Sequence, residues 1–599
     1  MRWRDLSVWI VCGVLAAGLL WTAGSQLDSI NAHRKAMKLV INDPVENAPP
    51  SLAWATVAMG AFRGLVVDIL WMRADALKEQ GQFFDARQMA EWITRLQPRF
   101  AAVWEFQAWN MAYNISVAIP ATQPDQRWRW VKNGYELLRD QGIPLNPKSL
   151  ALYRELGRIF QHKMGGITDE AQKYYKIQFA REIGPVVEGA DQGFFEALAK
   201  APTDWPQIAS DPNVQPLIEA LRGADPAFAE PEQFAGRYLA LVQDPNRYGP
   251  AARRVLESFE GTPAIRQFGI MAKAHQVRHV WKMDPAFMVE LNRQYGPVDF
   301  NDPNHVIPLD WRHPDTHAIY WAAKGLQIAA QDEGRSLETV ELNTDRIIIH
   351  SLQNLFRYGR LLFFNVMVSD PNTEGGPAEA PTLVTDVFLR PDLRMFDRYH
   401  RALLALLDKY DTSGSREESL GTGHRNMLKN AILSFYQAGL VAQAERIYRE
   451  MRSLYPLPEF NLPLSEFCRL RFVEELDGLG IHDATEQVLS LLKESYYYYA
   501  IGSDDEAFGS ETLARQVYDY YQKENLGDTR LALPDFARMR YTALVDLLQD
   551  PQYPPYLQEN LKARIQEERP KLFEQLMQVD QQMRDTPQQN QPAGPGAVP

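Results

Sequence analysis

Cysteine is nearly missing from this chain of 599 residues: only Cys12 and Cys468 are present. Two cysteines cannot build a disulfide framework or a cysteine-based zinc site, so neither holds the fold together. A basic excess is missing too. Asp and Glu number 76 against 63 Lys and Arg, leaving a net charge of −13. That balance opposes a nucleic-acid partner, and the small groups Arg253–Arg254 and Arg469/Arg471 are too sparse to make a phosphate-binding patch. Stretches that alternate with period two are scarce, and Ile347–Ile349 is a short run inside a helical pattern, so no sheet is expected. No Walker A loop, dinucleotide glycine fingerprint or nucleophile elbow occurs. We therefore expect no cofactor and no metal, and do not expect an enzyme.

What is present is ordinary globular material, 45% hydrophobic and 23% charged. This excludes a wholly disordered, collagen-like or polytopic membrane chain. The length leaves room for about four domains or one long repeat array. Aromatic residues are plentiful, with 14 Trp, 25 Tyr and 27 Phe to be packed or displayed.

Residues Ser7–Gly24 (SVWIVCGVLAAGLLWTAG) form an uncharged run of 18 residues, at the lower limit for a membrane span. Trp3, Trp9 and Trp21 occupy interface positions, and Arg2 and Arg4 precede the run, as in a signal anchor. Thr22-Ala23-Gly24 beside Trp21 is a poor cleavage site. The expectation is a short N-tail at 1–6, one uncleaved helix at 7–24 and a linker at 25–50. A short N-tail stays cytoplasmic, which puts the body outside a bacterial inner membrane, although Arg34, Lys35 and Lys38 nearly balance the charge count. A second apolar stretch, Leu52–Met72, carries Arg63 and Asp68. Mid-span charge is costly in hydrocarbon, so it reads as a buried or membrane-skimming helix.

The body shows spaced repetition. Gly81 is followed by Ala86, Ala90 and Pro98; Gly439 is followed by Ala444, Tyr448 and Pro456 at the same offsets. Without the proline, Gly166, Ala171 and Tyr175 form a third set, and Gly509, Ala514 and Tyr518 a fourth. Glycine suits a turn between helices, alanine lets two helices approach, and proline ends a helix. These offsets resemble the tetratricopeptide repeat, a helix-turn-helix unit of about 34 residues. On that resemblance the glycine sits between helices A and B, and the units lie near 67–100, 152–185, 425–458 and 495–528. Tyr498, Ile501 and Gly502 stand where the family prefers Trp, Leu and Gly, and Trp104, Ala108 and Met111 look like a further helix A. Residues 63–116 and 309–325 also look like stretches of uncharacterised membrane-anchored repeat proteins of planctomycete-type bacteria. The resemblance implies an all-α solenoid whose groove binds a protein or peptide partner.

The remaining divisions follow composition. A TPR-like helical block at 51–186 is followed by a small-helix insertion at 187–262, rich in Pro, Asp and Ala. Next comes a helical block at 263–368 with a Pro/Asp-rich loop at 296–316, then a loop at 369–383. A second TPR-like block spans 384–585, with 338–368 and 384–408 read as helix. The tail 586–599 lacks the apolar residues to fold.

Several residues invite chemistry. His275 and His279 share a helical face, but Gln276 stands where a zinc peptidase places its catalytic Glu. Asp310, His313, Asp315 and His317, with Asp299 nearby, could converge on a cation or a substrate. Alternatively, Asp315 simply caps a helix beginning near Thr316. Glu494-Ser495 precedes Tyr496–Tyr499, an order that invites comparison with lytic transglycosylases, whose follow-up motif is absent. Trp128 and Trp130, interleaved with Arg127 and Arg129, could make a stacking platform, but their spacing points one inward and one outward. Two readings follow: a membrane-tethered scaffold or assembly factor, or an all-helical envelope hydrolase or carbohydrate-active enzyme using the 299–317 loop. The orientation makes a direct prediction: protease added to intact spheroplasts digests the body, and a fully protected body reverses the assignment.

Overall fold

The computed structural model describes residues 63–585, apart from 188, 190, 301, 303, 332–337, 369–381, 411–417, 477–480, 525–531, 550–552 and 554, together with the isolated positions 18, 22, 25, 26 and 29. The expected anchor at 7–24 (save Gly18 and Thr22), most of the linker, most of the 369–383 loop and the tail lie outside the described residues. Among the described residues no helix is long and apolar enough to cross a membrane. The chain divides into two units, 1–103 and 104–599, and is mostly helical.

In the first unit, Arg63–Glu79 and Phe83–Leu96 form a helical hairpin. The described end of the second apolar stretch lies in its first helix. That helix buries Val67 and Ala74 and exposes Leu65, Ile69 and Met72. Its turn is set by Gly81 at φ 75°. Gly81 N–H donates to Lys78 O at 3.0 Å and Gln82 N–H to Leu77 O at 2.9 Å. These are the paired bonds of a Schellman cap, which satisfy carbonyls that a helix end leaves open. Ala86 and Ala90 are fully buried, and Pro98 follows the second helix.

The same device recurs in the second unit. Glu418–Gln437 and Val441–Leu454 meet at Gly439, also at φ 75°. Gly439 N–H donates to Tyr436 O and Leu440 N–H to Phe435 O. Ala444 and Tyr448 are buried. A third copy joins Ile481–Ala500 to Asp504–Glu524 through Gly502 at φ 77°, with Gly502 N–H on Tyr499 O and Ser503 N–H on Tyr498 O.

That third copy corrects the fourth sequence register. Gly509 is inside a helix, and the turn glycine is Gly502, seven residues earlier. Ala507 and Ala514 are both buried and lie two turns apart on one face, which is why either register looks acceptable in the sequence. Gly509 has a different reason to be glycine: a Cβ there would sit 1.7 Å from Gln437 O, where the 504–524 helix meets the turn after the 418–437 helix. Gly166 also departs from the expected turn. Its backbone is extended (φ −62°, ψ 173°), and Ala171 precedes the second helix, Gln172–Val187, instead of lying within it. Ala171 and Tyr175 are nevertheless buried.

Three consecutive helices, at 101–118, 124–145 and 150–165, each contain a π-helical stretch: Asn110–Ile115, Leu138–Gly142 and Ile159–Gly165. Helices from Gln192–Lys200 to Pro250–Ser258 follow the Gln172–Val187 helix, then Pro263–His279, Pro285–Tyr295, Pro314–Ala329 and Glu338–Tyr358.

The helical reading of 360–368 and 384–390 is wrong. Arg360–Val368 (β1) and Thr382–Arg390 (β2) pair antiparallel, with Arg360 opposite Arg390 and Leu361 opposite Leu389. The 338–358 helix stops at Gly359, where a Cβ would lie 2.1 Å from Leu355 O. Beyond it both segments are rich in β-branched and aromatic residues that fit a pleated surface. Leu361, Phe363, Val387 and Leu389 pack one face of the hairpin against Ile177. The four tyrosines 496–499 are all buried in the C-terminal core.

Glycine chemistry supplies the test. Gly509→Ala should destabilise by about 1–3 kcal/mol through overpacking. Gly269→Ala lies within a helix with no atom within 4 Å of the added Cβ, and should stabilise by roughly 0.5–1 kcal/mol. Denaturant unfolding of both variants checks the pair.

Candidate functional site

Asp310, His313, Asp315 and His317 start from the loop that ends the 296–316 segment. Asn292 fixes that loop: its Oδ1 accepts from Leu309 N–H at 3.2 Å and from Trp311 Nε1 at 3.0 Å. The helix Pro314–Ala329 is capped by His313, not by Asp315, because His313 Nδ1 accepts from Asp315 N–H at 3.2 Å. Pro314 fills the first helical position, where a missing N–H costs nothing. Asp315 thus moves into the first turn and faces inward.

The four residues do not converge. Asp310 is half-buried and is absorbed by Arg312, whose Nε and Nη2 donate to its two oxygens at 3.0 and 2.9 Å. Asp299 meets His305 at 3.2 Å on the surface. His313, Asp315 and His317 are at most 1% exposed and line none of the clefts described below. His317 Nε2–H donates to Trp311 O at 3.0 Å, inside a ring of Phe160, Phe179, Trp281 and Trp311. Burial pushes both His313 and His317 down to about 3, assisted by the positive charge of Lys176 on His313 and of Arg139 on His317. Both are neutral packing groups at physiological pH.

Asp315 belongs to a node that sequence spacing does not reveal. Asn354 Nδ2 donates to its Oδ1 at 3.0 Å, and His313 Nδ1 lies 3.4 Å from Oδ2. Its carboxyl packs on Gly165, where a Cβ would come within 2.1 Å of Oδ2. On either side of Gly165, Met164 O and Gly166 O accept from Lys176 Nζ at 2.8 and 2.9 Å, and Gln172 Oε1 accepts the third proton at 2.7 Å. These are carbonyls at a helix C-terminus, the end that favours a cation. Burial lowers Lys176 and raises Asp315, each opposed by the charge of the other.

The remaining candidates are absorbed by structure. The rings of His275 and His279 lie 4.3 Å apart in a tilted pair, and burial lowers His275 to about 4. No group of three or more metal-ligating side chains occurs among the described residues. Glu494 accepts from Tyr498 Oη and Ser495 donates to Ala507 O, both at 2.7 Å. Trp128 stacks on Tyr175 in the core, and Arg127 donates to Ile119 O.

The open geometry lies elsewhere. A cleft of about 690 Å³ at the base of the β-hairpin is lined by Arg312, Arg360, Arg390 and Arg394 with Asp310 and Asp392, between apolar walls that include Leu362, Tyr497 and Ile501. A cleft of about 380 Å³ shares Arg360, Arg390, Asp392 and Arg394 with it and adds Glu494 and Glu506. Two Asp-x-Arg motifs build the walls identically. In Asp392-Leu393-Arg394, as in Asp310-Trp311-Arg312, the carboxylate accepts from the arginine's backbone N–H and from its Nε and Nη2. The backbone bonds Val298 N–H to Arg394 O and Asp392 N–H to Phe356 O tie the Asp392–Arg394 wall to the frame. The repeated Asp-x-Arg spacing is visible in the sequence; its meeting across a hairpin is not.

No protein-family model matches the chain, and no curated protein matches it.

Titration of the buried imidazoles sets the pH dependence. An unfolded histidine takes up a proton below about 6.5, whereas folded His313 and His317 refuse one until about 3. The unfolded state therefore binds more protons in this window, and stability falls as pH drops from 6.5 toward 3. The thermal midpoint should be lower at pH 5 than at pH 7, and the drop should be smaller in His313→Gln/His317→Gln.

Proposed function

We propose that this chain is a membrane-tethered scaffold or assembly factor of tetratricopeptide type in a bacterial envelope, holding a protein or peptide partner. The observation that carries the reading is the hairpin-base cleft. It has polar walls, apolar side surfaces and room for a few residues of an extended segment. The three hairpins with matching Schellman turns support a repeat-built frame, the kind of frame that presents extended binding surfaces. The exposed Leu65, Ile69 and Met72 stripe suits a helix at a membrane surface.

The enzyme reading needs Asp299, Asp310, His313, Asp315 and His317 in one pocket. They are divided between the surface, an ion pair and the core, so nothing specific favours it.

The full chain, affinity-purified from solubilised membranes, should carry a stoichiometric protein partner. Recovery of the chain alone under mild detergent counts against the scaffold.

A further inference from the structure

Arg390 ends β2 with 4% of its surface exposed, yet it lines both clefts. A guanidinium has five N–H donors and is expensive to bury without acceptors. The contacts of Arg390 are long: Ser503 Oγ at 3.5 Å and Glu506 at 3.6 Å. Its guanidinium carbon sits 3.9 Å above the Tyr498 ring, which orients the plane. Arg360 stands directly opposite in the strand register, and like charges in that position repel. Its ion pair, also with Glu506, spans 3.9 Å. Arg312 and Arg394 are already matched to their own aspartates, so Arg360 and Arg390 share one distant carboxylate between two positive charges.

We propose that this pair takes a carboxylate side chain from an extended, partly apolar segment of the partner protein. The chain as a whole carries −13, so the arginine-lined cleft is a local inversion of charge, and an acidic segment is steered there and not to the general surface. A carboxylate between two guanidinium forks gains charge-assisted, bidentate bonds that Glu506 at its present distances does not supply. The flanking Leu362, Tyr497 and Ile501 receive the apolar neighbours. This assignment rests on the scaffold reading and deepens it.

The probe is a fluorescent, end-capped Leu-Glu-Leu-Glu-Leu peptide titrated into the full-length protein, with the Gln counterpart and inorganic phosphate as comparators. The Glu peptide should bind about tenfold more tightly than the Gln peptide and weaken with salt. Arg360→Gln is half-exposed and should leave the thermal midpoint unchanged while weakening the Glu peptide at least about fivefold. Glu506→Gln removes the internal competitor and should tighten it, an effect that loss of structure does not produce. Equal binding of the Glu and Gln peptides, or an unchanged Arg360→Gln, overturns the assignment. So does displacement of the peptide by phosphate at an ionic strength at which sodium chloride leaves it bound, which gives the site to a phosphate ligand. Co-purification separates the two proposals. A partner lost with Arg360→Gln supports the cleft, and a partner retained by it overturns the cleft and leaves the scaffold. Absence of a partner from both, with the Glu peptide still bound, overturns the scaffold and supports the cleft.

Discussion

Lys176 places an amine at the centre of the larger unit, with water excluded, and the three acceptors around it make that placement possible. Met164 and Gly166 carbonyls end one helix, Gln172 begins the next, and Asp315 rests against Gly165 between them. Asn354 then ties Asp315 to the 338–358 helix. One polar node thus fixes four helices at a single depth. The aromatic ring around His317 packs beside it, and the 338–358 helix ends at Gly359, where the β-hairpin begins. The position of the arginine-lined cleft descends from that chain of contacts. The close packing of the Asp315 carboxyl on Gly165 is as necessary to this node as the charges.

The sequence exposes some of this through local physics. Turns at Gly81 and Gly439 are legible because a positive φ demands glycine and the buried alanines repeat at fixed distance. The last hairpin is misplaced by seven residues, since two helical turns return the same face and Gly509 offers a second plausible glycine. The β-hairpin is hidden because short apolar runs such as Leu361–Phe364 carry no periodicity that separates strand from helix. Asp310–His317 is recognisable as the approach to a helix, but the cap is His313, and the inward turn of Asp315 depends on Lys176, far away in the chain. Long-range partners of this kind leave no trace in spacing.

The Asp-x-Arg pairs show how a short chain segment can fix a guanidinium before any ligand arrives. Each aspartate holds the arginine's backbone and side chain together, so the fork is set by its own neighbours and little rotamer freedom remains to be lost. Arg360 and Arg390 lack that support, which makes them chemically distinct from the two arginines beside them.

The π-helical stretches in three successive helices have a consequence for phase. An α-helix advances about 100° per residue; the π turns at 110–115 and 138–142 absorb extra residues without ending the rod, and the one at 159–165 closes its helix. Side chains after Ile115 and Gly142 therefore point in directions that an uninterrupted α-helix would not give them. Removing a single residue from the 159–165 stretch would let the rod relax to regular winding, yet it would swing the Met164–Gly166 carbonyls away from Lys176. Rotational phase is what these stretches set, and the carbonyls that hold Lys176 depend on it.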